Sequence, residues 1–331
     1  MMSKTKVSVV SAAVLVVVLV MGIVIFGRIN GNTTRPGATA PNAVGGGLLV
    51  GVGPSLGGIS IYSPLSGRPL RELTAPPFGH FPFLSPNGSS VYFTTSTPGS
   101  EETCESDIEK KLIDGKSHPI VQGQHININS FTMTRNRHWA LWLSSSAGCN
   151  PRPPYALHKM NVKTGQTQVQ NYRTFVDSMA VTANGSELAL EQGAIAVPAS
   201  QSREKIYLYA WASATPEASP ANVLPCPKGD SECTQTSPAF TQNGELFYIA
   251  SIGPHDVNCY YGGCATQRFI LVRMHQHKAI QVASVVAPSF QTYLAVSPSG
   301  NEAVLSIGRR SYFWKAGHGL VRIATLYEES W

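Results

Sequence analysis

Charge is scarce in this chain of 331 residues: only 13% are Asp, Glu, Lys or Arg, about half the share of an average soluble domain. That excludes a highly charged disordered protein and a long helical bundle or coiled coil, both rich in charged residues. Acid is missing altogether from residues 1–47, which carry Lys4, Lys6, Arg28 and Arg35, so most of the formal net charge of +6 sits there. The rest of the chain is nearly balanced and has no basic stripe interleaved with aromatics, which excludes a nucleic-acid surface. Metal signatures are also missing. The six cysteines lack the paired C-x-x-C spacing of a zinc site. His275-x-His277 has no identifiable third ligand, and the acidic stretch Glu101, Glu102, Glu105, Asp107, Glu109 lacks the Asp-rich, Gly-containing pattern of an EF-hand loop. No metal centre or cofactor is read from the sequence. Gly53-Pro54-Ser55-Leu56-Gly57 matches G-x-S-x-G. A β run, Ile59–Tyr62, follows it instead of the helix a nucleophile elbow requires, so no catalytic residue is assigned.

What the chain does have is turns: 30 glycines and 23 prolines among short apolar segments, a composition suited to many strands. It also has one long apolar run. Val7 to Phe26 carries no charge, and at about 1.5 Å per residue it spans roughly 30 Å, the thickness of a bilayer core. A cleaved signal peptide is the alternative, but its apolar region is shorter and ends in a small-x-small site; here the run ends Ile25-Phe26-Gly27-Arg28. The expected organisation is therefore a cytoplasmic tail (1–6), a transmembrane signal anchor (7–27), a flexible Gly/Pro/Thr linker (28–47) and an ectodomain (48–331). Lys4 and Lys6 favour an inside N-terminus, which puts the C-terminal domain outside the cytoplasm on a single-pass membrane protein.

Six cysteines, even in number and flanked by turn-formers, agree with an oxidising compartment. Close spacing pairs Cys226–Cys233 and Cys259–Cys264 as loop staples; buried free thiols are the alternative.

An internal repeat sets the fold. Leu84-Ser85-Pro86-Asn87-Gly88, Met133-Thr134-Arg135-Asn136-Arg137, Val181-Thr182-Ala183-Asn184-Gly185, Phe240-Thr241-Gln242-Asn243-Gly244 and Val296-Ser297-Pro298-Ser299-Gly300 each precede an apolar strand. Each Asn-Gly reads as the turn of a two-residue hairpin. A third and a fourth strand follow each pair, including Asn222–Leu224 and Ala279–Val282. Four antiparallel strands per roughly 50 residues is the signature of a propeller blade. Leu48–Val52, Ile59–Tyr62 and Pro69–Leu73 supply the second to fourth strands of one more blade, whose innermost strand either comes from the linker or is missing. The expected fold is all-β: a six-bladed β-propeller preceded by one N-terminal transmembrane helix. A β-sandwich is the alternative, but it does not need one turn motif five times.

Phe83-Leu84-Ser85-Pro86-Asn87-Gly88 and Val296-Ser297-Pro298-Ser299-Gly300 resemble the Ser-Pro-Asp-Gly repeat of TolB-like and WD40-like propellers. The resemblance implies a propeller used as a binding platform, often outside the cytoplasm.

Blade topology sends all six cysteines and the long loops 97–110, 144–155, 191–204 and 251–267 to one face. Cys104 and Cys149 fall in equivalent loops of adjacent blades, which makes a Cys104–Cys149 bridge the expected third disulfide. Loops on a rigid scaffold carry function, so that face is the expected ligand surface, with Tyr260 and Tyr261 as contacts. Five residues before each repeat's Ser or Thr stand His80, Asn129, Asp177, Thr236 and Thr292. With apolar or proline residues three and one before the Ser or Thr, simple strand alternation makes these five a polar ring at the channel mouth.

The function expected is a binding or protein-interaction module, its partner an unidentified protein, peptide or glycan. A propeller enzyme, hydrolase or lyase, with its site at the channel mouth is the alternative, and a structural envelope protein is the second alternative. Clustered carboxylates at the cysteine face favour the enzyme; a broad aromatic patch favours a protein or glycan partner.

Overall fold

The computed structural model describes residues 48–52, 58–73, 79–85, 87–96, 104–113, 115, 117–121, 126–146, 155–172, 176–193, 204–211, 223–227, 233–253, 266–289, 291–324 and 327–330. The expected tail, anchor and linker lie outside these residues. Among the described residues no helix is long and apolar enough to cross a membrane.

The described strands form six sheets. Blade one contains β1 (Leu49–Val52), β2 (Ile59–Tyr62) and β3 (Pro69–Glu72). Blade two is β4 (Gly79–Leu84), β5 (Ser90–Ser96), β6 (Ser106–Leu112) and β7 (Ser117–Val121). Blade three is β8 (Ile126–Met133), β9 (Trp139–Ser146), β10 (Tyr155–Asn161) and β11 (Thr167–Tyr172). Blade four has β12 (Val176–Val181), β13 (Glu187–Gln192) and β14 (Lys205–Ala210). Blade five is β15 (Thr234–Phe240), β16 (Leu246–Ile252), β17 (Thr266–His275) and β18 (Lys278–Pro288); blade six is β19 (Thr292–Val296), β20 (Glu302–Ile307), β21 (Arg310–Lys315) and β22 (Gly319–Ile323). The last strand, β23 (Tyr327–Ser330), pairs antiparallel with β1 and completes blade one. The missing innermost strand therefore comes from the C-terminus and not from the linker. This closes the ring by strand pairing between the two ends of the propeller, so that β1 is not left as an unpaired innermost strand.

Six apolar clusters fill the six junctions between neighbouring blades. Blade six meets blade one through Leu49, Tyr62, Val304 and Phe313, so the ring is closed by packing as well as by strand pairing. Second strands are covered by a blade on each side. β1, β16 and most of β5 are therefore buried on both faces, which is why they read as continuous apolar runs without alternation.

Each repeat motif holds a turn by side-chain chemistry. Thr134 Oγ1 donates to Asn136 Oδ1 (2.7 Å) and accepts the Trp139 N–H (3.1 Å). Ser85 with Asn87 and Ser90, and Thr182 with Asn184 and Glu187, repeat the pattern. The last residue of each motif has positive φ: Gly88, Gly185, Gly244 and Gly300, and, without glycine's freedom, Arg137 at 58°. These are three- and four-residue hairpin loops, not the two-residue ones expected. The Ser or Thr amide pairs with a carbonyl five residues on (Ser85 with Ser90) or four (Thr241 with Glu245).

Three strand expectations need correction. Blade four's fourth strand, Asn222–Leu224, reduces among the described residues to a single bridge, Tyr207 to Val223. The third strand of blade two begins at Ser106, so Asp107 and Glu109 belong to β6 instead of an acidic loop, and Asp107 is buried. β18 runs six residues beyond Val282, to Pro288.

Blades three and four are clamped by Lys159. Its side chain is 7% exposed, donates to the Gly185 carbonyl at 2.6 Å, and lies 4.9 Å from the ring centres of both Trp139 and Trp211. Lys159→Met keeps the length but removes the hydrogen bond and both cation–π contacts. It is expected to cost about 1–3 kcal/mol in urea unfolding.

Candidate site at the channel mouth

First strands enter from the cysteine-bearing face and end at the Ser/Thr turns. Four of the five first strands that carry the motif have a β-bulge near their entry. In β4 the pairs His80–Thr94 and Phe83–Tyr92 leave two residues opposite one. Register shifts also fall between Ile128 and Ser130, Val176 and Met179, and Thr236 and Ala239. A bulge inserts a residue and re-aims the side chains before it. The bulges interrupt strict alternation in those four strands, yet the predicted apolar positions Phe131, Met179, Val181 and Leu294 reach the cavity wall while also packing against the neighbouring blades.

The inner strands enclose a cavity of about 350 Å³. Of the predicted ring, the structure places Asp177, Thr236 and Thr292 on its wall. His80 and Asn129 are not among the lining residues: His80 is exposed, and the Asn129 amide reaches Ser145 Oγ at 3.5 Å. Thr236 and Thr292 join hydroxyl to hydroxyl at 2.7 Å, and the Ser237 hydroxyl donates to the Thr292 carbonyl at 2.8 Å. These bonds tie the entries of blades five and six. Tyr260 and Tyr261 lie outside the described residues. Cys226–Cys233 is a disulfide. Cys104 is also disulfide-bonded; its expected partner Cys149, and both Cys259 and Cys264, lie outside the described residues.

Blade four contributes a carboxylate cluster. Asp177 is the second residue of β12, Glu191 lies near the end of β13, and Glu204 immediately precedes β14. Antiparallel pairing brings all three to the same end of the blade. One oxygen from each lies within 4.8 Å of the others. Glu191 is 5% exposed. Its Oε2 accepts from the Ser178 hydroxyl and from the Ser237 amide, the latter at 2.8 Å. Burial pushes its carboxyl well above the usual range, and Glu204 and Asp177 push it further. Glu204 is pushed up to about 7 by burial and then by Asp177. Asp177 keeps solvent access through the open channel, while protein packed around its other sides raises it to about 6. Near neutral pH the cluster thus retains protons that a cation would displace.

Glu191 and Glu204 escaped the sequence reading because only innermost strands were aligned there. The available signal was Glu191 at the last place but one of a second strand, where the other motif-bearing blades have Thr95, Ser145, Ser251 and Ser306.

The other end of the channel is blocked by two arginines from the blade-three turn. Arg135 donates to the carbonyls of Phe240 (3.2 Å) and Val296. Arg137 donates to those of Leu84 (2.6 Å) and Thr134 (3.2 Å) and stacks over Phe83. Burial lowers their pKa values to about 10 and about 9 respectively, yet both stay charged at neutral pH. The result is a pit with acid on the wall near its mouth, apolar side chains such as Phe131 and Met179 on its sides, and guanidinium groups at its base.

No protein-family model matches the chain, and a search of curated protein sequences finds no match. Solved structures do resemble it. A TolB from Acinetobacter baumannii superposes with a TM-score of 0.56 at 13% identity, covering 86% of this chain and 65% of that one. An oligogalacturonate lyase in complex with manganese gives 0.50 at 11%, covering 81% and 70%. The tricorn protease gives 0.50 at 11%, covering 81% and 32%. The chain therefore spans about two thirds of the TolB's length and a third of the protease's. Identities this low carry the fold alone. The class is the six-bladed β-propeller, and the architecture is TolB-like.

Proposed function

We propose that this propeller is a binding module whose ligand surface is the cysteine-bearing face, and that its channel mouth takes a cationic group. That group is a divalent metal ion or the amine of a protein or peptide partner. The observation that carries this is the convergence of Asp177, Glu191 and Glu204 on the wall of a blind cavity. Oxygens sharing one calcium ion at about 2.4 Å stand no more than about 4.8 Å apart, which the cluster satisfies. An all-oxygen donor set suits calcium, magnesium or manganese better than zinc. The charge-free run Val7–Phe26 and the lysines before it support a membrane anchor with the propeller outside the cytoplasm.

Calorimetric titration of the full chain with calcium, manganese and a lysine-terminated peptide tests the reading. At least one probe is expected to bind with proton release near pH 6–7, and its affinity should rise with pH. Glu204→Gln is expected to weaken it about tenfold at pH 8, equivalent to about 1.4 kcal/mol. Silence from all three probes would refute the proposal.

A propeller enzyme is the second reading, favoured by the raised pKa values of Glu204 and Asp177. A carboxyl near 7 serves as general acid or base at neutral pH. Turnover of a bound ligand, abolished by Glu204→Gln, would replace the first reading with the second.

A further inference from the structure

The outer edges of the blades differ in how they resist pairing. Edge strands are normally guarded by charge, proline or a covering segment. β3 carries Pro69, Arg71 and Glu72; β7 carries His118 and Pro119; β22 carries Arg322. β11 has no charge but is tied to blade four, Gln170 donating to the Trp211 carbonyl and Gln168 accepting the Trp211 indole N–H. β14 is bridged by Val223. β18 is the exception. It has eleven residues, against four to six in the other five outer strands. From Ala279 to Ala287 it carries neither charge nor proline. Among the described residues it is the last strand of its sheet, and no hydrogen bond reaches its outer side. Ile280 and Val286 are 43% and 59% exposed.

Within that stretch one guard is present, a bulge at Val282: Leu271 pairs with Ala283 while Val272 pairs with Gln281. It divides the edge and leaves Ala283–Ala287, five residues free of charge and proline and closed by Pro288, against Gln267–Leu271. Five residues is the length of an ordinary strand.

We propose that this run pairs antiparallel with the same run of a second copy of the chain, joining two propellers edge to edge. Antiparallel self-pairing about a two-fold axis is isologous, so each edge meets its own sequence. Like charges are what usually forbid this, and the run has none. Ser284 and Val286 stand exposed on one face and would meet their counterparts across the axis. The contact is small: about 17 Å of strand, well below the roughly 800 Å² per partner of a standard interface. The dimer is therefore weak and reversible, suited to copies concentrated on one surface.

Cysteine cross-linking tests this in the full chain. Ala283→Cys, Ser284→Cys and Val285→Cys are made singly, because neighbouring residues alternate in facing the axis. Val169→Cys, on the exposed edge strand β11, serves as control. At least one of the three is expected to give a disulfide-linked dimer several-fold more abundant than the control. Adding Val286→Lys should reduce that dimer about tenfold with an unchanged melting temperature. Dimer yields equal to the control for all three, or a yield unaffected by Val286→Lys, would overturn the proposal.

Discussion

A chain truncated after Ala324 is expected to melt at least about 10 °C below the full chain and to aggregate on warming, because the ring would no longer close. β23 is only four residues long, but it occupies the innermost position of blade one. It pairs with β1 at Val50–Ser330 and Val52–Tyr327 and packs beside β4 and β19. Its removal exposes the inner edge of β1, and an unpaired edge recruits other chains. It also leaves the blade-six to blade-one cluster of Leu49, Tyr62, Val304 and Phe313 beside an open seam. Together these place the expected loss at about 4 kcal/mol or more, among the largest single changes, and in a domain of this size each kcal/mol shifts melting by about 2–4 °C. Calorimetry and sedimentation of the truncated chain measure both effects. A truncated chain that stays monomeric with unchanged melting would show that packing alone closes the ring.

That closing strand was the least legible part of the fold. The five turn motifs could be read because each is a local device: a hydroxyl, an Asn or Ser two residues on, and a positive-φ position fit within one short window. Strand pairing between the two ends of a chain leaves no such local trace, so blade one appeared to lack a strand. Blade four failed in the opposite direction. Asn222–Leu224 has strand-like residues, but among the described residues pairing there is a single bridge, Tyr207 to Val223. The site was half legible for a related reason. Asp177, Thr236 and Thr292 share a position relative to the motif, and that position does reach the cavity. The same position at His80 and Asn129 does not: His80 is exposed, and the Asn129 amide turns to Ser145 on the neighbouring strand. Glu191 and Glu204 join Asp177 only through lateral pairing across β12, β13 and β14, which no alignment of inner strands contains. The two arginines stood in plain view inside the motif. Arg137 occupies the place of a glycine at a φ that costs a non-glycine residue about 1–2 kcal/mol, and its buried guanidinium makes hydrogen bonds that hold it there.

Glu191→Gln is expected to raise the melting temperature at pH 8, to leave it nearly unchanged at pH 5, and to abolish cation binding. A carboxyl whose folded pKa exceeds its unfolded value of about 4 holds more protons folded than unfolded between those two values. Stability therefore falls as pH rises through that window, and the full cost is present above it. Asp177 at about 6 and Glu204 at about 7 set the window from roughly pH 4 to 7, and Glu191, raised by burial and by both neighbours, extends it upward. Solvent in the channel screens Asp177 and reduces its share; Glu191, at 5% exposure, has little such relief. A glutamine there keeps a carbonyl oxygen to accept from Ser178 and the Ser237 amide while removing a buried charge. The expected gain at pH 8 is about 1–2 kcal/mol, in line with replacing an uncompensated buried ion. Calcium or manganese should stabilise the native chain at pH 8 by supplying the missing positive charge, and should do nothing for the variant. Thermal scans of both chains at pH 5 and 8, with and without each metal, separate the effects. Native stability that rises with pH over this range, or a variant still stabilised by metal, would mean that the three carboxylates do not act as one charged group.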